Sequence, residues 1–268
     1  MSFNGEALAH RPEKLPKSLT LARLRKSPRE KETQMNLNVS LRAIVRLLAL
    51  FVLVMTPLVP EPTRAAEPWY VATSGSDGNS CLSSAAPCAT INGAIGKASA
   101  GDTIKVATGI YTSTAASEVV SVTKSINLSG GWDASFATQN GMATIDGGGA
   151  RRGVGVNSGV TVTVESVVVQ NGYALAVGNF LTGGGIYNDG TTVLNNSIIY
   201  NNTAGNASGV FPSVGTGGGI YNNGSVILNN STISGNKSSS GGGIDNNGTV
   251  ILNNTTINGN MLYDIGSG

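Results

Sequence analysis

Polysaccharide chemistry needs carboxylates that converge: two acids flank the bond in glycoside hydrolysis, and acidic oxygens hold calcium. Beyond residue 66 this sequence has ten acids, and their spacing keeps them apart. When four glycine-led units are aligned, Asp189 falls with Asn223 and Asn247, and Asp245 falls with Tyr187 and Tyr221, so no two acids share a position in adjacent units. Arg151 and Arg152 are the only arginines after residue 66. They follow the turn DGGGA with Asp146 close by in sequence, and read as exposed charges at a polar corner rather than as a base beside an acid. The one histidine, His10, lies in the N-terminal segment, which leaves no imidazole to ligate a metal or activate a nucleophile. GGGIYNDG, Gly183 to Gly190, has the glycine and aspartate of a calcium-winding repeat, but the other units put asparagine where ionised aspartate is required. These residues point to no catalytic group, no metal and no cofactor.

Two other sets have a chemical use. Cys81 and Cys88 are the only cysteines, and such a close pair in an exported chain reads as a disulfide that staples a small loop. Tyr187 and Tyr221 each follow an isoleucine expected to be buried, so strand alternation turns them outward. Stacked on adjacent units, they are a candidate glycan platform, with ordinary surface aromatics as the plainer alternative.

The elements that would position these residues are repeats. The units begin GVGVNSGVTVTVESVVVQNG at Gly153, GGGIYNDGTTVLNNSIIYNN at Gly183, GGGIYNNGSVILNNSTISGN at Gly217 and GGGIDNNGTVILNNTTINGN at Gly241, spaced by 30, 34 and 24 residues. Apolar positions hold their offset inside each unit, and length varies at one place only, with Thr203 to Thr216 as the longest excursion. Each unit has three apolar runs of strand length, separated by Asn-Gly and Asn-Asn pairs that tolerate left-handed corners. Three strands and three turns in about 24 residues describe a coil of a right-handed parallel β-helix. A meander of hairpins is the rival, since Asn-Gly also marks hairpin turns. In the β-helix, Ile186, Ile220 and Ile244 stack inside, as do Leu194, Leu228 and Leu252, and Ile198 with Ile233 or Ile257. Asn196, Asn230 and Asn254 share one corner and Asn188, Asn222 and Asn246 another, where amides can bond from coil to coil.

Further signatures concern placement. Residues 1–66 hold eleven of the seventeen Lys and Arg, so the formal net charge of +2 hides an acidic remainder, and nucleic-acid binding has no support. Residues 35–66 have the plan of a secretory signal: Arg42 and Arg46, then LLALFVLVM, then Thr63-Arg64-Ala65, with cleavage expected after Ala65. The apolar run is shorter than the roughly 20 residues that span a bilayer, so the mature chain is not expected to cross a membrane. Residues 1–34 form a basic extension, with Met35 an alternative start.

The stretch Pro68 to Thr112, with YVATSGSDGNS, PCATINGAIGKA and GDTIKVATGIY, followed by SINLSGGWD, resembles the opening of secreted right-handed β-helix proteins of the pectate-lyase-like superfamily. The GGGI…NN…N units are similar to repeats of the polymorphic outer membrane protein family. The resemblance implies an all-β chain with a short capping helix at Ile91 to Ala98. It also implies residues 67–152 as cap and first coils, residues 153–260 as repeat coils, and residues 261–268 as a tail. It further implies secreted, cell-surface or outer-membrane placement. The function expected is structural or adhesin-like display, with a glycan or a neighbouring cell surface as partner. A polysaccharide-active enzyme and a non-catalytic glycan-binding module are the alternatives. No cap or anchor is recognisable in Met261 to Gly268, directly after the last repeat, so the chain reads as truncated or as self-associating through an open last coil.

Overall fold

The computed structural model describes residues 68–114, 117–174, 176–177, 180–205 and 215–263. The basic extension and the signal segment lie outside these residues. Among the described residues no helix is long and apolar enough to cross a membrane.

The chain winds as a right-handed parallel β-helix with three long sheets, each strand pairing with its counterpart one coil away. One sheet has seven strands, in order Trp69–Val71, Thr103–Ala107, Ile126–Trp132, Thr161–Glu165, Thr191–Asn195, Ser225–Asn229 and Thr249–Asn253. A second runs Glu118–Val122, Arg152–Val156, Ile186–Asn188, Ile220–Asn222 and Ile244–Asn246. The third runs Gly109–Tyr111, Ala143–Asp146, Val167–Gln170, Ile198–Tyr200, Thr232–Ser234 and Thr256–Asn258. All pairing within these three sheets is parallel, which removes the hairpin meander. The antiparallel strand pair found is Ala176–Val177 with Phe180–Thr182, inside the first excursion.

Register follows the repeat alignment except in the second-sheet strand of the first unit, where Val154 rather than Val156 lies beside Ile186. Val164, Leu194, Leu228 and Leu252 are successive partners, as are Val154, Ile186, Ile220 and Ile244. Alternate residues of each strand face inward, so Ile186, Leu194, Ile220 and Leu228 are fully buried. Burying each such side chain contributes about 1.5–3 kcal/mol. The third apolar column differs from expectation by one residue. Ile199, not Ile198, pairs with Ile233 and Ile257, and Ile198 pairs with Thr232. The strand begins directly after Ser197, whose own side chain turns inward, so the inward parity falls on 199.

The asparagine corners have two solutions. Asn196, Asn230 and Asn254 adopt φ of 48°, 50° and 48°, left-handed backbone that asparagine tolerates better than most residues. There Asn254 Nδ2 also donates to Asn230 Oδ1 at 2.8 Å, while Asn188, Asn222 and Asn246 form a side-chain ladder, with Asn188 Nδ2 donating to Asn222 Oδ1 at 2.7 Å and Asn222 Nδ2 to Asn246 Oδ1 at 2.6 Å. A further ladder was not legible as such in the repeats: Asn202, Asn236 and Asn260, linked by bonds of 3.0 and 2.9 Å, with Asn202 and Asn236 fully buried. It fits against the glycine triplets. Gly217 has φ of +65°, and a Cβ on Gly218 would lie 2.4 Å from the carbonyl oxygen of Lys237.

At the first coil the helix Ile91–Lys97 buries Ile91, Ala94 and Ile95, with Ala98 buried just beyond it, the face expected. Thr90 caps it, its Oγ1 accepting from Gly93 N, while Asp77 accepts from Thr90 N and Oγ1. Cys81 and Cys88 form a disulfide, and both are fully buried beside this helix in the core. Replacing both by serine is expected to lower stability by about 2–3 kcal/mol through the lost loop constraint. Paired urea melts would measure this as a lower midpoint.

Candidate functional site

Asp77, Asp102, Glu118, Asp133 and Asp146 each serve a turn or a neighbour. Asp102 accepts from Trp69 Nε1 at 2.8 Å and from Ser99 N at 2.8 Å. Asp133 accepts from the hydroxyls of Thr138 and Ser135 and from nearby backbone amides, which holds its carboxyl well below the usual range. For Asp146, burial pushes the pKa up, but bonds from Gln170, Gly148 N and Asn171 outweigh it and leave the pKa lowered. Among the described residues no group of three His, Cys, Asp or Glu is placed to hold a metal ion.

Arg152 is not the exposed corner charge that the sequence suggests. It is 6% exposed. Its guanidinium donates to Glu118 Oε2 at 3.1 Å and to the carbonyls of Thr182 and Gly183 at 2.8 and 3.0 Å. The reason is the column it occupies. Glu118 pairs with Arg152 across adjacent strands, and Gly155 leaves room: a Cβ there would sit 2.6 Å from the Glu118 carboxylate. Arg151 turns the other way, donating to Thr114 O at 2.6 Å.

The same face brings Tyr187 and Tyr221 together, as the alignment expects. They are direct ladder partners, with ring centroids 5.4 Å apart and planes 13° from parallel. The rings are stacked along the solenoid axis rather than laid side by side. Arg152 covers Tyr187 as well, 4.8 Å from its centroid. Tyr187 donates to Asp189 Oδ2 at 3.0 Å, Asn223 Nδ2 donates to Asp189 Oδ1 at 3.2 Å, and Asn247 Nδ2 donates to the Tyr221 hydroxyl at 2.9 Å. A saccharide lies on an open ring face; here Tyr221 and Arg152 both lie against the Tyr187 ring. The column works as a ladder that joins three coils, in the manner of cross-strand aromatic pairs.

Burial pushes the Tyr187 hydroxyl up to about 12, with the hydrogen bond to Asp189 and the charge of Asp189 adding to it. Folded Tyr187 therefore keeps a proton that an unfolded tyrosine releases near pH 10. Stability linked to this group is fully present below about pH 10 and declines as pH rises toward 12. Titration of tyrosinate absorbance should contain a component near 12 that vanishes in Tyr187→Phe and moves down in Asp189→Asn.

Among the aligned repeats one corner takes the large differences in length; the first repeat adds two residues between Val156 and Thr161, and the coil before it has its own excursion, residues 130–142, between the seven-stranded and the third sheet. Tyr173, Thr203 and Lys237 are bridged in successive coils, and Lys237 pairs onward with Met261. On the far side of the corner, Thr182, Thr216 and Ser240 are bridged in turn. Between these two ladder positions the chain takes nine steps in the first coil, thirteen in the second and three in the third. The excess over the third coil is six and ten, which is also the excess of the 30- and 34-residue repeats over the 24-residue repeat. Residues 175, 178–179 and 206–214 of these excursions lie outside the described residues.

No protein-family model matches this chain, and no curated protein or solved structure matches it either.

Proposed function

We propose that this chain is an exported display scaffold of the adhesin kind, built on the architecture of the pectate-lyase-like superfamily. The observation that carries the reading is the corner that the two longest excursions of the aligned repeats share. Two excursions of different length leave the solenoid there while the ladders on both sides stay in register. A fold that takes insertions at its corners can vary what it presents without disturbing what holds it up. Export is supported by the buried disulfide, which persists in oxidising compartments, and by the signal-like segment 35–66. The acids speak for scaffolding over catalysis, since Asp102, Asp133 and Asp146 are each taken up in organising local backbone.

The test has two parts. The full chain, expressed in a bacterial host, should be found outside the cytoplasm with Ala66 at its N-terminus. Recovery from the cytosol with residues 1–34 or 35–66 intact would contradict export. Beads coated with the purified chain should attach to cell layers. Attachment should be lost when residues 204–215 are replaced by Ser-Ser, the connection length of the third coil. Unchanged attachment by that variant would remove the display reading.

A further inference from the structure

One step before the insertion corner, the third sheet ends in an open cleft of about 500 Å³. Asp146, Gly148, Gly149, Asn171, Tyr173 and Asn201 line it. Its size falls within the range of about 300–1,000 Å³ typical of small-molecule sites.

The lining has a definite polarity. Asn201 Nδ2 donates to Asn171 Oδ1 at 2.7 Å, and Asn171 Nδ2 donates to Asp146 Oδ2 at 3.0 Å. Gln170 Nε2 also donates to Asp146 Oδ2 at 2.8 Å, and Gly148 N donates to Oδ1 at 2.8 Å. The amide chain thus runs across three coils and ends on one carboxylate. A carboxylate oxygen accepts about two hydrogen bonds. Oδ2 takes two here and Oδ1 takes one, so Oδ1 keeps room for another donor.

The floor is bare backbone. Gly148 and Gly149 have φ of +62° and +69°, and a Cβ on either would meet nothing within 4 Å. Aromatic surface stands at two places. Tyr173 lines the cleft, and Tyr200, the ladder partner of Gln170, is 48% exposed and lies over Gly235 in the next coil.

We propose that this cleft binds a neutral polysaccharide, with Asp146 and the Asn171–Asn201 amides bonding its hydroxyls and Tyr173 and Tyr200 supplying apolar surface. Hydroxyl-rich ligands satisfy directed acceptors and amphipathic rings together. Among the described residues lining the cleft, Asp146 alone is charged, so uronates and phosphates meet the repulsion of its carboxylate. The inference names a ligand class independently of export and of the excursions.

Affinity electrophoresis of the purified full chain tests it, with laminarin, mannan, dextran, hydroxyethylcellulose or polygalacturonate cast in the gel. At least one neutral polymer should retard the chain, and polygalacturonate should not. Tyr173→Ala should weaken retardation about tenfold, as loss of one aromatic contact implies. Asp146→Ala should weaken it further, and its thermal melt shows whether it folds. If it does not fold, Tyr200→Ala takes its place. Retardation by none of the neutral polymers, or equal retardation by polygalacturonate, overturns the ligand class. Retardation unchanged by Tyr173→Ala overturns the site. Loss of bead attachment on shortening residues 204–215, with gel retardation intact, would separate display from this cleft.

Discussion

Replacing Asn236 by leucine is expected to lower the unfolding free energy by about 3 kcal/mol, read from the urea midpoint with the slope unchanged. Asn236 is fully buried and every group it offers is used. Its Oδ1 accepts from Asn202 N at 2.9 Å and Asn202 Nδ2 at 3.0 Å. Its Nδ2 donates to Asn260 Oδ1 at 2.9 Å and Ile199 O at 3.0 Å. Leucine has similar volume but leaves a buried N–H of Asn202 and the carbonyl of Ile199 with one partner fewer, at about 1–3 kcal/mol for each group left unpaired. Asn236→Asp separates shape from polarity. An ionised carboxylate keeps both acceptor bonds but sets its other oxygen against two acceptors. Burial and that repulsion raise the folded pKa of the new acid. The variant should therefore be most stable at low pH and lose stability as pH rises through the raised value. A flat pH profile for Asn236→Asp would show that the ladder tolerates charge and that its amide donors contribute little.

The second large effect is expected at Arg152→Met, with a loss of about 3 kcal/mol, because the change leaves the Glu118 carboxylate, whose side chain is only 16% exposed, without its counter-charge. It also removes two bonds to the carbonyls of Thr182 and Gly183, the backbone that leads from the first excursion back to the sheet. The double variant Glu118→Leu/Arg152→Met should recover much of the loss, since an apolar pair can replace a buried ion pair at little cost. Equal destabilisation by single and double variants would mean that the carbonyl bonds, not the ion pair, are what matter.

The fold was legible because a solenoid writes its register into the sequence. The alignment that places Leu194 beside Leu228 also sets them side by side in space. The capping helix and the disulfide were local patterns and could be read the same way. Ile198 misled because a short apolar run shows its inward parity only once the corner before it is fixed, and Ser197 turning inward was not visible in composition. Arg152 misled for a different reason. Its partner Glu118 is 34 residues away and precedes the first aligned unit, so no repeat pattern linked them. The asparagines of the ladder Asn202–Asn236–Asn260 each stand nineteen residues after Gly183, Gly217 and Gly241, and only burial beneath the glycine triplets separates them from surface asparagines. Tyr187 and Tyr221 could be paired from sequence, but the direction in which their rings face could not.

Keeping its excursions at the corners also makes the solenoid a ruler. Neighbouring strands lie about 4.8 Å apart along the axis, whatever the number of residues between them. Ten extra residues between one coil and the next leave the strand pairing on either side unchanged. Axial distance therefore counts coils, not residues: Tyr187 and Tyr221, 34 positions apart in the chain, are one graduation apart on the scale. Features on different faces keep fixed separations while the excursions change, so a partner that grips two coils at once meets the same spacing in every length variant.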